Sequence, residues 1–358
     1  MKKVILSISA MLLVGAAAVA QSNGSTVNQT GTSNDALVAQ TGLSNGSNVL
    51  QNGASNDANV AQLGATNIAK IDQLGTSHMA SIDQTGVSND AFAEQANESN
   101  SITQVQDGNS NYARAHQNVY LADLYGAGGN NVATQTQIGD RNNASSLQGY
   151  SNGASTSTTI QSQQGNDNQS GMYQHGGNNY SSVSQVGNEN SNGSNQDQGD
   201  NNGAYATSVV GDRNYSWAEQ FGNGNFSDEW QIGNDNSILT TQHGDSNVAY
   251  AHQIGDSNEI VQIQTGNSNY THVDQYGGTS SFNLAETTQD GNYNNSTVYQ
   301  VTDSNEAFSI QNGDSNQSGI SQYGGNMNYA ATSQTGDMHN SYVNQNGASN
   351  ISNVTQSN

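Results

Sequence analysis

Glutamine recurs at eleven-residue intervals along almost the whole chain, and this register limits what the chain can fold into. Gln29, Gln40, Gln51, Gln62, Gln73, Gln84, Gln95, Gln106 and Gln117 open the series. It resumes at Gln137 and continues through Gln163, Gln174, Gln185, Gln220, Gln231, Gln242, Gln253, Gln264, Gln275, Gln289, Gln300, Gln311, Gln322, Gln334, Gln345 and Gln356. Two positions on come the glycines Gly31, Gly42, Gly53, Gly64, Gly86, Gly139, Gly176, Gly187, Gly233, Gly244, Gly255, Gly266, Gly313 and Gly347. Five positions on come Asn34, Asn45, Asn56, Asn67, Asn142, Asn179, Asn236, Asn247, Asn258, Asn269, Asn316 and Asn350. A fixed short period of this kind marks a stack of supersecondary units.

Alternation defines the unit. Asn34, Ala36, Val38 and Gln40 share one parity, and Asp35, Leu37 and Ala39 take the other. The first set recurs as Asn56, Ala58, Val60, Gln62 and as Asn269, Thr271, Val273, Gln275, while the second set varies freely. Side chains alternate faces along a strand, so the restricted face is buried and the variable face is not. Gln-x-Gly-x-x-Asn then turns the chain, with glycine taking the left-handed backbone. The reading is all-β: a two-stranded parallel β-solenoid of cross-β type with about 22 residues per turn, roughly 15 turns and no caps. At about 4.8 Å per turn the rod is about 70 Å long. Stacked Gln and Asn amides are expected to bond to their copies above and below, which satisfies polar groups a thin core would otherwise orphan. Bare terminal turns expose unpaired N–H and C=O groups, so the expected behaviour is end-to-end self-assembly.

Composition agrees with a repeat stack and excludes much else. Only 32% of the chain is hydrophobic and 10% charged, too little of either for ordinary globular domains. There is no Pro, which would interrupt a hydrogen-bond ladder, and no Cys, so there are neither disulfides nor thiolate metal sites. A net charge of −23 argues against nucleic acid as a partner. Lys2 and Lys3, an apolar run from Val4 to Val14 and the sequence Ala18-Val19-Ala20 read as a secretory signal cleaved between Ala20 and Gln21. No other stretch could span a bilayer. The expected organisation is therefore a signal peptide at 1–20, repeats at 21–117, an irregular insertion loop at 118–136 and repeats at 137–358. The last basic residues are Lys70, Arg114, Arg141 and Arg213.

The unit Gln-x-Gly-x-x-Asn-x-Ala-x-x-x-Gln behind an export signal resembles the curlin repeat of curli subunits, over nearly all of 25–358. The resemblance implies export through an outer-membrane pore and assembly at the cell surface into amyloid fibres. It also implies a role in the biofilm matrix, in adhesion and cell aggregation, with a nucleator subunit as partner. The regular, uncharged end from Gln345 to Asn358 resembles the major fibre subunit more than the nucleator, whose terminal repeats are more basic. The alternatives are the nucleator itself, or a capped solenoid that binds ice or carbohydrate.

No enzyme chemistry and no cofactor is expected. None of His78, His116, His175, His243, His252, His272 and His339 has a metal-ligand spacing, and His78 and His339 fall in the Asn slot. The turn residues Asp140, Asp212, Asp245, Asp256, Asp314 and Asp337 do not follow the nine-residue pattern of Ca²⁺ β-rolls. They read as repulsive surface charge that slows assembly. Tyr112, Tyr180, Tyr215, Trp217, Trp230, Tyr250, Tyr270 and Tyr329 fall on the outward parity, and Glu229 falls on the inward one.

Overall fold

The computed structural model describes residues 22–120, 124–125, 129–149, 156–197, 200–276 and 282–358. The expected signal peptide and its Ala20–Gln21 cleavage site lie outside them. Successive strands fall alternately into two parallel sheets of 15 and 14 strands, and the described residues contain no helix. The fold is a β-solenoid of about 14 turns with about 22 residues per turn. The difference from the expected 15 is chain spent in lengthened loops.

Alternation sorts the side chains as their chemistry requires. In the strand Asp57–Ala65, Ala58, Val60 and Gln62 are buried while Asp57, Asn59 and Leu63 are exposed. Cross-strand register is in phase: Ala58 lies beside Ala80, Val60 beside Ile82, Gln62 beside Gln84. Small and β-branched inward residues let the two sheets close on one another, which the pleated surface favours. The apolar core comes in two long stretches. One runs from Val49 to Ala133, the other from Ile238 to Val343, with Met172 and Val183 packed together between them.

Between those stretches the core turns polar. Ser146 and Thr159 hydroxyls meet at 2.7 Å across the sheets, and Ser181 meets Ser194. Asn192 has neither end of its amide bonded among the described residues, and the Ser227 hydroxyl is likewise unpaired. Each such group costs about 1–3 kcal/mol. This waist buries less apolar side chain than the stretches on either side.

Turns use two left-handed residues. The repeat glycine is one: Gly233 has φ +123°, and a Cβ there would lie 1.9 Å from the carbonyl oxygen of Gly255 in the next turn. The other is the residue before the Asn slot, which is seldom glycine: Ser33, Ser55, Ser246, Tyr293 and Met338 have φ of 58°, 59°, 60°, 58° and 58°.

Insertions are absorbed at turns without disturbing the sheets. The strand Val132–Ile138 pairs in parallel with both Ser101–Asn109 and Thr158–Gln164, so one turn is lengthened. Gln106 bonds Gln137 across 31 residues where Gln84 bonds Gln106 across 22. The repeats thus resume at Asn131, inside the expected 118–136 span, because Val132–Ile138 is a full member of the sheet. The extra chain includes a short antiparallel pair, Val119–Tyr120 with Leu124–Tyr125. Strands are nine residues long in each unit from Gly24 to Asn109 and six to eight from Val132 onward.

Gly233→Ala should lower the unfolding midpoint steeply, by roughly 3 kcal/mol or more, because left-handed strain adds to a backbone collision. Ser246→Gly, at an exposed left-handed position, should not lower it. Denaturant titration of both variants against the parent checks the pair.

Candidate functional site

Two glutamine ladders run the length of the rod. In the 15-stranded sheet, Gln29 Nε2 donates to Gln51 Oε1 at 2.7 Å, Gln51 to Gln73 at 2.9 Å, and so on without a break through Gln174, Gln242, Gln264 and Gln311 to Gln334 and Gln356 at 2.9 Å. The same amide reaches across the core: Gln51 Nε2 also donates to the Asp35 carbonyl at 2.7 Å and Gln62 Nε2 to Gly46 at 3.0 Å. One side chain therefore ties a turn to the next turn and one sheet to the other. The second ladder carries Gln40, Gln62, Gln137 and Gln185, then Gln231, Gln253 and Gln345.

That second ladder is broken once. Val209 takes the place of a glutamine, beside Gln185 on one side and Gln231 on the other. Gln231 Oε1 is buried and has no hydrogen-bond partner among the described residues. The sequence pattern also missed a short extra ladder, Gln104–Gln135–Gln161 at 2.8 and 2.7 Å, which occupies a core position usually held by Val or Ile.

The asparagine ladders combine the amide-to-amide bonds expected from the sequence, as Asn56 Nδ2 to Asn34 Oδ1 at 3.1 Å and Asn350 Nδ2 to Asn328 Oδ1 at 2.9 Å, with bonds to the main chain. Asn34 Oδ1 accepts the backbone N–H of Asn56 at 3.1 Å, and Asn236 Oδ1 that of Asn258 at 3.0 Å. Their Nδ2 groups also donate to main-chain carbonyls, as Asn45 to Gly64 O at 3.0 Å, Asn67 to Gly86 O at 3.0 Å and Asn179 to His175 O at 2.8 Å. The shorter side chain sits in the turn, where main chain is the nearest partner. Asn142, Asn247, Asn269, Asn316 and Asn350 take the same place. His78 substitutes fully: its N–H donates to Asn56 Oδ1 at 3.1 Å and its Nδ1 accepts from Asn100 N at 3.4 Å. His339 donates to Asn316 Oδ1 at 2.9 Å.

The turn aspartates, expected as repulsive surface charge, are also acceptors in a further ladder. Asp140 Oδ1 takes the Asn109 N–H at 2.8 Å, Asp212 that of Asn188 at 2.7 Å, Asp245 that of Asn223 at 2.8 Å. Asp256, Asp314 and Asp337 do the same for Asn234, Asn292 and Asp314. The turn glycines hold this geometry open, and Gly31, Gly42, Gly53, Gly86, Gly139, Gly176, Gly187, Gly244, Gly255, Gly266, Gly313 and Gly347 all have positive φ near 98–137°.

Both ends of the rod are open among the described residues. Gly24–Thr32 pairs only with Gly46–Ala54, and Asp35–Leu43 only with Asp57–Ala65. At the other end Asn340–Asn346 and Ile351–Ser357 each have a single partner strand. Because the ladders donate towards the C-terminal neighbour, Gln29 and Gln40 present bare acceptors. Gln345 and Gln356 each bond a carbonyl of the rod, Tyr329 O at 2.8 Å and Asn340 O at 3.0 Å, and keep a second N–H for the next turn. The asparagines offer the converse.

Outward chemistry is confined to clusters. Lys70 Nζ lies 4.2 Å from the Phe92 ring centre, with Arg114 on the far side, and His116 meets Glu94 at 3.1 Å. Burial, then the Arg114 and Lys70 charges, push His116 down to about 4. Arg141 and Arg213 grip Asp167 and Asp235 of the following turn with two bonds each. His252, His272 and Asp274 come together because His252 and Asp274 lie one turn, 22 residues, apart. Glu229 is fully inside the core beside Ser216 and Thr240, and burial pushes its carboxyl up to about 7.

The family model described as Curlin associated repeat matches the chain at residues 53–86, 233–261 and 283–308. No curated protein matches the chain.

Restoring the missing rung by Val209→Gln gives Gln231 Oε1 a donor and should stabilise the rod by about 1 kcal/mol, read as a higher unfolding midpoint. Glu229 binds its proton more tightly folded than unfolded, so its contribution is complete below about pH 4.5 and is lost as the pH rises through about 7. Glu229→Gln should therefore flatten the fall in stability across that window, measured as midpoints at several pH values.

Proposed function

The chain is a curlin-repeat protein, and from that premise we propose that it is a structural subunit that assembles end to end, outside the cell, into curli-like amyloid fibres. The observation that carries the reading is the match between the two ends of the rod. One end offers Gln29 and Gln40 as acceptors, and the other offers donors on Gln345 and Gln356. Asn350 Oδ1 at the C-terminal end would take the backbone N–H of Asn34 from the next copy, as Asn34 itself takes that of Asn56. Sheets of 15 and 14 strands set the phase of the joint. The incoming first strand extends the shorter sheet, and each copy is turned over relative to the last.

Further parts of the reading rest on the resemblance. They are export behind a cleaved 1–20 signal, passage through an outer-membrane pore, a nucleator subunit that starts the fibre, and a biofilm role in adhesion and aggregation. The acidic chain favours the same picture, since like-charged sides resist lateral clumping while the ends remain adhesive. The described residues contain no helix long and apolar enough to cross a membrane.

Assembly kinetics test the proposal. The chain from Gln21 onward, diluted from denaturant, should polymerise after a lag that fragments of its own fibres abolish. The fibres should hold one chain per about 70 Å of length by mass-per-length measurement, which follows from stacking at about 4.8 Å per turn. A chain that stays monomeric with seeds present overturns the reading. A doubled mass per length overturns the single-file joint.

A further inference from the structure

On the outward face of the 14-stranded sheet, the strands Val248–Ile254 and Tyr270–Tyr276 run side by side, with His252 opposite Asp274. His272 precedes Asp274 by two residues and so shares its face. Asp274 Oδ1 lies 3.0 Å from His252 Nδ1 and 3.0 Å from His272 Nε2. These three ligand atoms all lie within 4.8 Å of one another, and no other such trio occurs among the described residues. We propose that His252, His272 and Asp274 form a binding site for one divalent transition cation of the Zn²⁺ type.

The donor set fits that class. Two imidazole nitrogens and one carboxylate oxygen suit Zn²⁺, which takes them at about 2.0–2.2 Å and leaves a fourth position for water. Hard cations such as Ca²⁺ and Mg²⁺ prefer all-oxygen shells and gain little from imidazole. A small inward movement of the rings brings the three atoms onto one ion.

The surroundings isolate the trio. Trp230 precedes His252 in its cross-strand column and Tyr299 follows Asp274. The Trp230 ring stands edge-on to His252 at 5.9 Å and Tyr250 lies 5.6 Å from His272. The Tyr276 hydroxyl is 3.3 Å from His252 Nδ1, at the rim. Aromatic walls exclude part of the water, so the three ligands are half-buried rather than free on the surface. The site is on the side of the rod, remote from both open ends, so it is independent of end-to-end growth.

Titration of the folded full chain with ZnCl2, in a large excess of CaCl2 to occupy general acidic sites, tests the proposal by calorimetry and by bound metal after dialysis. One Zn²⁺ per chain is expected. His272→Gln and Asp274→Asn should each abolish that stoichiometric binding, while His243→Gln, at an exposed histidine outside the trio, should retain it. All three changes lie on the outward face, and an unchanged circular dichroism spectrum confirms that each variant keeps the fold. The proposal is overturned if the parent binds no Zn²⁺ under these conditions, or if the His272 and Asp274 variants bind it as the parent does.

Discussion

The hydrogen bonding of one glutamine side chain sets the rest of the structure. Its Nε2 has two hydrogens: one goes to the glutamine of the next turn, the other to a carbonyl of the facing sheet. Both bonds form only if glutamine returns to the same height every turn and the facing strand lies half a turn away. The eleven-residue period is that condition written in sequence. The glycine two positions on follows from it. Stacking turns this closely puts one Gly carbonyl where the Cβ of the preceding turn's residue would be, as for Gly64 against Gly86 at 1.9 Å. Apolar burial adds to this order but does not create it: the core is mostly alanine, valine and isoleucine in single file.

The ladders also give the rod a direction. Along each glutamine ladder the amides donate forward, and the asparagines that open each strand accept from the forward neighbour, whereas the turn residues Asn188, Asn234 and Asn292 accept from the turn before. Nothing in the bonding distinguishes a turn in the middle from one at an end, so stability is a sum of neighbour terms. Departures are local for the same reason. Val209 costs one rung, and the second apolar stretch of the core begins at Ile238. Asn192, Ser227, Glu229 and Val209 crowd into the same few turns. The polar waist is thus where several small deficits coincide rather than where one large one sits.

Much of this was legible in the sequence because the inward face is written in repeated letters. Strand positions, the buried parity, the glutamine ladders and the turn glycines all follow from the period. What was not legible depends on three dimensions. The second left-handed residue is hidden because serine fills it, and serine gives no signal for positive φ. The acceptor role of Asp140 and Asp212 was hidden because it shows only when the N–H of the turn before is in place. The interval from Gln117 to Gln137 fits either two short units or one long one, and only the pairing of Ser101–Asn109 with Val132–Ile138 decides it. His252 and Asp274 are a full turn apart in sequence yet touch.

Inward and outward positions therefore carry separate information. The inward set is fixed by hydrogen-bond geometry, so a change there is felt at once as a lost rung or an orphaned group. The outward set has no such constraint, since the backbone ladder beneath it does not depend on which side chain it carries. A residue placed outward is nevertheless held in register by the sheet, and its neighbours are the residues one turn before and after. The stack of Lys70, Phe92 and Arg114 is built this way, each residue a turn from the last, and so is the trio around Asp274. A rod of this type can add chemistry to its side without loss at its core. The places to look for it are coincidences between residues about 22 apart, which no local motif would reveal.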